Sequence, residues 1–300
     1  MLISSSLAKK KIDVKRLIKK ELGTQFISKV IKKTGPKNVY HIFNDESSLT
    51  LGLNAVNKLF KNFNYIKKKD IKNIISVTET PKLKFPGNSF DYASNVGLDS
   101  STFCLDINSG CTGFVDALKI AFSMKGKSLI VCSETYSKHQ KIFNRSVTPI
   151  FSDAAAAILF DKKNWKLIDF NFQYEKNTSK LISCANDQDM QMSGKDVVNF
   201  VSDKVVKYLN NVISKYNPEH IFLHQGSSFV LDYIKSKLNK RIFIHSNIKH
   251  IGNTVSASIP ILFEKYLKTT KIKDKEKILF LGFGVGVALS GILLEKKKCK

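Results

Sequence analysis

The sequence predicts an α/β protein built from two related halves. Short apolar runs alternate with amphipathic helical ones, the same succession recurs in the second half, and a polar stretch parts the two. Strands are predicted over residues 73–78, 102–107, 128–133, 155–160, 220–224, 241–245, 278–282 and 286–294. Helices are predicted over residues 48–62, 112–124, 196–215, 228–238 and 256–268, where apolar residues return at helical spacing. In the first half a helix after Cys111 leads to Ser128-Leu129-Ile130-Val131-Cys132-Ser133 and then to Ala157-Ile158-Leu159-Phe160-Asp161-Lys162-Lys163. In the second, a helix after Asn253 leads to Lys277-Ile278-Leu279-Phe280-Leu281-Gly282 and then to Gly291-Ile292-Leu293-Leu294-Glu295-Lys296-Lys297. Residue identity between these runs is slight, while order and spacing agree. The polar stretch Asp161-Lys162-Lys163-Asn164-Trp165 places the division at residues 1–162 and 163–300.

Composition narrows the function classes. With 300 residues and 43% hydrophobic content there is material for a large core. The formal charge of +24 comes from 49 Lys+Arg against 25 Asp+Glu, much of it in lysine runs at 9–11, 67–69 and 296–298. Lysines interleaved with Asn and Ile also fit an AT-rich coding bias. A basic surface favours acidic partners: nucleic acid, an acidic carrier protein or a phosphorylated cofactor. With no zinc finger, aromatic-interleaved basic stripe or helix-turn-helix signature, no nucleic-acid partner is expected.

The five cysteines, Cys104, Cys111, Cys132, Cys184 and Cys299, form no CxxC pair and are odd in number. Neither a metal site nor a disulfide framework follows, and a reducing cytoplasm fits best. The apolar part of Met1-Leu2-Ile3-Ser4-Ser5-Ser6-Leu7-Ala8-Lys9 is too short for a signal peptide. Residues 278–294 are uncharged and at the lower limit for a membrane span. Gly282, Gly284, Gly286 and Gly291, with β-branched residues between them, instead predict two buried strands around a glycine turn. The expectation is a soluble protein with no membrane span.

The stretch Asp106-Ile107-Asn108-Ser109-Gly110-Cys111-Thr112-Gly113-Phe114 places one cysteine between a strand-like approach and a helix-like exit. Cys111 is a small core thiol or a nucleophile. The flanking glycines and the adjacent helix N-terminus, which stabilises a thiolate, favour the nucleophile. An acyl reaction then needs a partner group and oxyanion donors. His41, His139, His220, His245 and His250 lie in polar or basic settings. His224 ends the apolar run Ile221-Phe222-Leu223 and precedes the small-residue loop Gln225-Gly226-Ser227-Ser228, the position where α/β folds place their sites. Asn253, in Gly252-Asn253-Thr254, either caps the following helix or offers its amide N–H as a donor.

This ordered set, Cys111, His224-Gln225, Gly252-Asn253-Thr254 and a glycine-rich C-terminal run, resembles β-ketoacyl-acyl-carrier-protein (ACP) synthase III among the thiolase-fold condensing enzymes. The resemblance extends over most of the chain. Leu2-Ile3-Ser4-Ser5-Ser6-Leu7 is similar to the family's first strand, Lys33-Thr34-Gly35 to its Arg-Thr-Gly, and Phe85-Pro86 to the acyl-pocket loop that reaches toward a partner subunit. Arg145 through Asp153-Ala154-Ala155-Ala156-Ala157 resembles its Arg…Phe-Gly-Asp-Gly-Ala-Gly-Ala segment.

The resemblance implies a thiolase-like fold of two duplicated βαβαβ-type halves in layered α-β-α-β-α order. It implies that Cys111 takes an acyl group from a thioester, and that His224 and Asn253 bind the carbonyl of a malonyl-type extender as it loses carbon dioxide. The backbone N–H groups of Cys111 and Val285 would form the oxyanion hole for the acyl-cysteine. His224 has to be neutral for this role. Lys33, Phe85, Arg145 and Gln225 are carried over as substrate-binding residues. No cofactor is bound; acyl-coenzyme A or acyl-ACP is substrate, acyl carrier protein a partner, and a homodimer the assembly.

Several positions depart from the family. The clamp tryptophan falls near Lys29, one clamp arginine falls on Lys33, and the sole tryptophan, Trp165, lies elsewhere. Lysine cannot stack a planar guanidinium on adenine, which weakens the coenzyme A clamp. His-Gln-Ala-Asn-x-Arg becomes His224-Gln225-Gly226-Ser227-Ser228-Phe229, and Val285 stands where glycine is usual. The expected activity is decarboxylative Claisen condensation in acyl-chain biosynthesis. The alternatives are transfer of the acyl group to an amine or hydroxyl acceptor, and a non-catalytic subunit or basic nucleic-acid binder.

Overall fold

The computed structural model describes residues 1–185, 188–239 and 242–298. Aliphatic runs condense into two mixed sheets. The first holds β1 (Leu2–Leu7), β2 (Ile71–Val77), β3 (Phe103–Ile107), β4 (Lys127–Glu134) and β5 (Ala154–Phe160) in the order β1-β5-β4-β2-β3. β1 and β4 run antiparallel to β5, and β4, β2 and β3 run parallel. The second holds β6 (Trp165–Tyr174), β7 (His220–Leu223), β8 (Lys277–Gly284) and β9 (Ala288–Lys296) in the order β6-β9-β8-β7. Its directions repeat the first sheet: β6 and β8 are antiparallel to β9, and β7 is parallel to β8.

Alternation along the strands sends successive side chains to opposite faces, so each sheet buries both. Ile74, Leu129 and Val131 pack outward on the helix Ser48–Asn62 through Leu51, Ala55 and Leu59. Ser47 starts that helix with a capping box closed by Thr50. Ile75, Ile130 and Ile158 face inward, as do Phe222, Ile278, Phe280 and Ile292 of the second sheet. Between them lie the helices Gly113–Ser123 and Ser258–Leu267, through Phe114, Ala117, Leu118, Leu262 and Phe263. The outer face of the second sheet, with Ile221, Leu279 and Leu281, is covered by helices Val206–Tyr216 and Ser228–Ser236. The result is the expected α-β-α-β-α layering.

Several elements differ from the sequence reading. Residues 241–245 do not form a full strand: Ile244 makes a single parallel bridge to Ile221, where the first sheet has β3, and residue 241 lies outside the described residues. The last strand starts at Ala288, because Gly284 (φ 154°) and Gly286 (φ 123°) take up a tight turn between β8 and β9. The predicted helix 196–215 is Gly194–Phe200 and Val206–Tyr216 joined by a π-helical turn, Val201–Val205. β6 is absent from the sequence reading; as an outer strand it buries only Trp165 and leaves the rest half-exposed or exposed, so the apolar signal is weak. The lysine-rich helices Val14–Leu22 and Ile27–Thr34 bury only Val14, Ile18, Val30 and Thr34, which hides their periodicity.

Residues 278–294 form β8, the turn and β9, and no helix among the described residues is long and apolar enough to cross a membrane. The central layer is the most sensitive place to perturb the fold. Phe114 is fully enclosed and meets Phe280 edge-on at 5.6 Å between ring centres. Phe114→Ala is expected to cost about 3–5 kcal/mol of unfolding free energy, read from urea denaturation.

Candidate active site

β3 ends at Ile107, and Cys111 stands in the turn before the helix Gly113–Ser123. Cys111 is 7% exposed. The second half closes on it through glycines. A Cβ on Gly284 would lie 2.6 Å from Cys111 Sγ, and one on Gly282 would collide with the Cys111 carbonyl oxygen. Only bare backbone fits there, and it brings the Val285 N–H to the sulfur.

His224 follows β7, its N–H bonded to the Leu281 carbonyl at 2.9 Å. It is 2% exposed, with Nδ1 2.8 Å from Ser258 Oγ and Nε2 3.4 Å from Asn253 Nδ2. Burial drops its pKa to about 3, against a weaker upward pull from the Val255 backbone, so the ring is neutral. Asn253 is fixed by its backbone: its N–H donates to the Ile150 carbonyl and its carbonyl accepts from Ser152, both at 2.8 Å. Its Oδ1 accepts the Val255 N–H at 2.8 Å, which leaves the amide Nδ2 directed toward His224 and the Gly226 carbonyl.

Cys111, His224, Asn253 and Val285 line one cavity of about 370 Å³. Its wall is largely apolar, including Phe151, Ile182, Met190 and Val197. Lys29, Lys33 and Arg145 line it too and are exposed, so the open end is basic and the inner end apolar. Gln225 does not belong to this wall. It is fully buried, its Nε2 donates to the Leu223 carbonyl at 2.8 Å, and its Oε1 accepts from Ser246 and Asn247, so it braces the loop instead of meeting a ligand. Phe85, 84% exposed, does not line the cavity of its own chain.

The electrostatics correct one expectation. A helix N-terminus was expected to favour the Cys111 thiolate, yet its pKa is pushed up to about 12 by burial first and then by Glu79, with Glu134 adding to it. The Val285 N–H opposes this without overcoming it. The sequence reading missed both carboxyls. Glu134 ends β4, fully buried, and accepts from Ser256 Oγ at 2.7 Å, the Glu79 N–H at 3.1 Å and Thr80 Oγ1 at 3.1 Å. Burial and the neighbouring Glu79 push Glu134 up to about 8, and burial raises Glu79 as well. The available signal was a glutamate at the C-terminal end of each of two apolar strand runs, where α/β folds build their sites.

Residues 105–175 match the family profile of 3-oxoacyl-[acyl-carrier-protein] synthase III, and residues 211–296 match its C-terminal counterpart. The two matches take in more than half of the chain. The chain belongs to the β-ketoacyl-ACP synthase III family. A curated β-ketoacyl-ACP synthase III of Clostridium botulinum (strain 657 / Type Ba4) is 27% identical, with 84% of this chain and 85% of that protein covered. The 3-oxoacyl-ACP synthase III structure from Aquifex aeolicus VF5 superposes with TM-score 0.87 at 22% identity over 98% of each chain. The priming β-ketosynthase of the R1128 polyketide pathway superposes with TM-score 0.86 at 17% identity, covering 99% of this chain and 95% of its own. The fold is therefore thiolase-like, and the chain is an enzyme of a β-ketoacyl-ACP synthase III-type condensing family.

The neutral state of His224 has a measurable consequence. Unfolded, the imidazole protonates near 6.5; folded, it stays neutral down to about 3. The unfolded chain therefore binds the extra proton in that window, and stability is lost as pH falls through 6.5. Between pH 7 and pH 5 the loss is about 2 kcal/mol, and it is absent in His224→Gln. Urea titrations at the two pH values are expected to move the stability difference by that amount in favour of the variant.

Proposed function

We propose that this synthase loads an acyl group onto Cys111 and condenses it with a malonyl-type thioester. The observation that carries the reading is the convergence of a thiol from the first half with an imidazole and an amide from the second, in one largely apolar cavity. Cys111 Sγ attacks the carbonyl of the acyl thioester, and the donor thiol departs. The backbone N–H groups of Cys111 and Val285 are the proposed donors for the oxyanion formed there. The malonyl thioester then binds with its carbonyl oxygen toward His224 Nε2–H and Asn253 Nδ2. Carbon dioxide leaves, negative charge grows on that oxygen, and two donors in a dry site stabilise the enolate far more than in water. The enolate carbon attacks the acyl-cysteine and releases a β-ketoacyl thioester.

The basic rim of Lys29, Lys33 and Arg145 supports a phosphorylated thioester arm, held by point charge in place of a planar stacking clamp. Acyl carrier protein, being acidic, suits a chain of net charge +24. A second copy of this chain is the proposed neighbour of β3. That strand is an outer edge, with Phe103 exposed, and the loop carrying Phe85 packs beside it through Ser89 and Asp106. Phe85 would then reach the partner's cavity. The cysteine usage supports a cytoplasmic setting.

The discriminating assay is release of carbon dioxide from a malonyl thioester in the presence of an acyl donor. His224→Ala and Asn253→Ala are each expected to slow it about 100- to 1,000-fold, as loss of one oxyanion donor does. Acyl transfer that proceeds from Cys111 to another acceptor without release of carbon dioxide would contradict the condensation reading.

A further inference from the structure

Two carboxyl groups beside Cys111 have no task in the steps above. Glu79 and Glu134 stand at the C-terminal ends of β2 and β4, neighbouring parallel strands. The Glu79 carboxyl packs against Gly110, accepts the Gly110 N–H and takes the hydroxyl hydrogen of Tyr136. Tyr136 lines the same cavity as Cys111 and is held there by stacking on Phe151, 5.2 Å between ring centres. The titratable groups that face Glu79 are Glu134, Tyr136, Cys111 and Cys184.

Neither carboxyl has an ion-pair partner among the described residues. Holding a fully buried and a half-buried acid side by side without a counter-charge is costly, and such a pair relieves the repulsion by keeping a proton. A glutamine would make similar bonds to Gly110 and Tyr136 without that cost. What a carboxyl adds is a proton it can give and take.

Resting on the reading that Cys111 carries the acyl group, we propose that Glu79, oriented by Tyr136, is the acid that returns a proton to Cys111 as the acyl group leaves. In condensation the extender carbon bonds to the acyl carbonyl carbon and the bond from that carbon to Sγ breaks. The electron pair passes to Sγ, the Glu79 carboxyl hydrogen follows, and Glu79 is left as carboxylate. Loading runs the other way: the Cys111 proton passes to Glu79, Sγ bonds to the carbonyl carbon, and the donor thiolate leaves to be protonated by water. A thiol with pKa near 12 is a poor leaving group as a bare thiolate, so a proton supplied at departure lowers the barrier.

Glu79→Gln separates this role from a structural one. In single turnover, acyl-Cys111 followed by intact-protein mass spectrometry is expected to persist, its discharge by a malonyl thioester slowed about 100-fold. Removing the negative neighbour also favours the Cys111 thiolate, so alkylation by iodoacetamide is expected to shift to lower pH. A loosened site would also expose the thiol, so the variant's urea midpoint is read alongside: slowed discharge with an unchanged midpoint supports the proton role, and a lowered midpoint that accounts for both effects would overturn it. Tyr136→Phe is expected to give a smaller effect on discharge. Wild-type discharge in Glu79→Gln, or an alkylation profile that stays put or moves to higher pH, would overturn the proposal. If the wild-type protein takes no acyl group from any thioester, the loading reading fails, and the alkylation profile alone still decides whether Glu79 governs the Cys111 proton.

Discussion

The site depends on one close approach: the backbone of Gly282 and Gly284 laid directly on Cys111. Nothing larger than hydrogen fits at either position, since a methyl group would meet the Cys111 carbonyl or its sulfur. That contact joins the C-terminal end of β8 to the start of the central helix, so the two halves meet at the thiol itself. It also fixes what the thiol sees. The Val285 N–H is delivered to Sγ, and the turn at Gly286 lets the chain return as β9. The duplicated architecture places an equivalent strand-to-helix junction in each half. In the first half that junction carries Cys111, while the second supplies the donors His224 and Asn253.

Burial then decides the electrostatics. The same enclosure that keeps His224 neutral drives Cys111, Glu79 and Glu134 toward their protonated forms. Burial thus disfavours charge in the inner site, while Lys29, Lys33 and Arg145 line its exposed mouth. A charged arm held at the rim and an apolar chain within satisfy both environments at once. Glu134 also links the halves mechanically, because the Ser256 hydroxyl it binds belongs to the segment just after Asn253. Loss of that bond would loosen the loop that aims the Asn253 amide.

Much of this was legible in the chain. The helix Ser48–Asn62 could be read residue for residue because its apolar stripe is regular and its start is capped by Ser47. Strands β2, β4, β5 and β8 were legible to within two residues at each end, because their apolar centres are buried on both faces. Cys111 and His224 stood out because each follows a strand-like run and is flanked by glycine or other small residues, and Asn253 because it lies between Gly252 and Thr254 just ahead of a helix. What was hidden has physical reasons. β6 is an outer strand with a mixed surface, and the lysine-rich helices bury too few residues to show a period. Gln225 looked like a ligand contact in sequence because it follows His224, yet folding turns its amide onto Leu223 and Asn247. Glu79 and Tyr136 are far apart in sequence and meet only through the parallel pairing of β2 and β4, so no local pattern announces them.

The account turns on Cys111 as the atom that carries the acyl group. The most direct measurement is intact-protein mass spectrometry after incubation with a panel of acyl-coenzyme A and acyl-ACP thioesters. The expected result is a mass gain equal to the acyl group from at least one donor, retained in His224→Ala and absent in Cys111→Ala. No adduct from any donor, or an adduct that survives in Cys111→Ala, would contradict it.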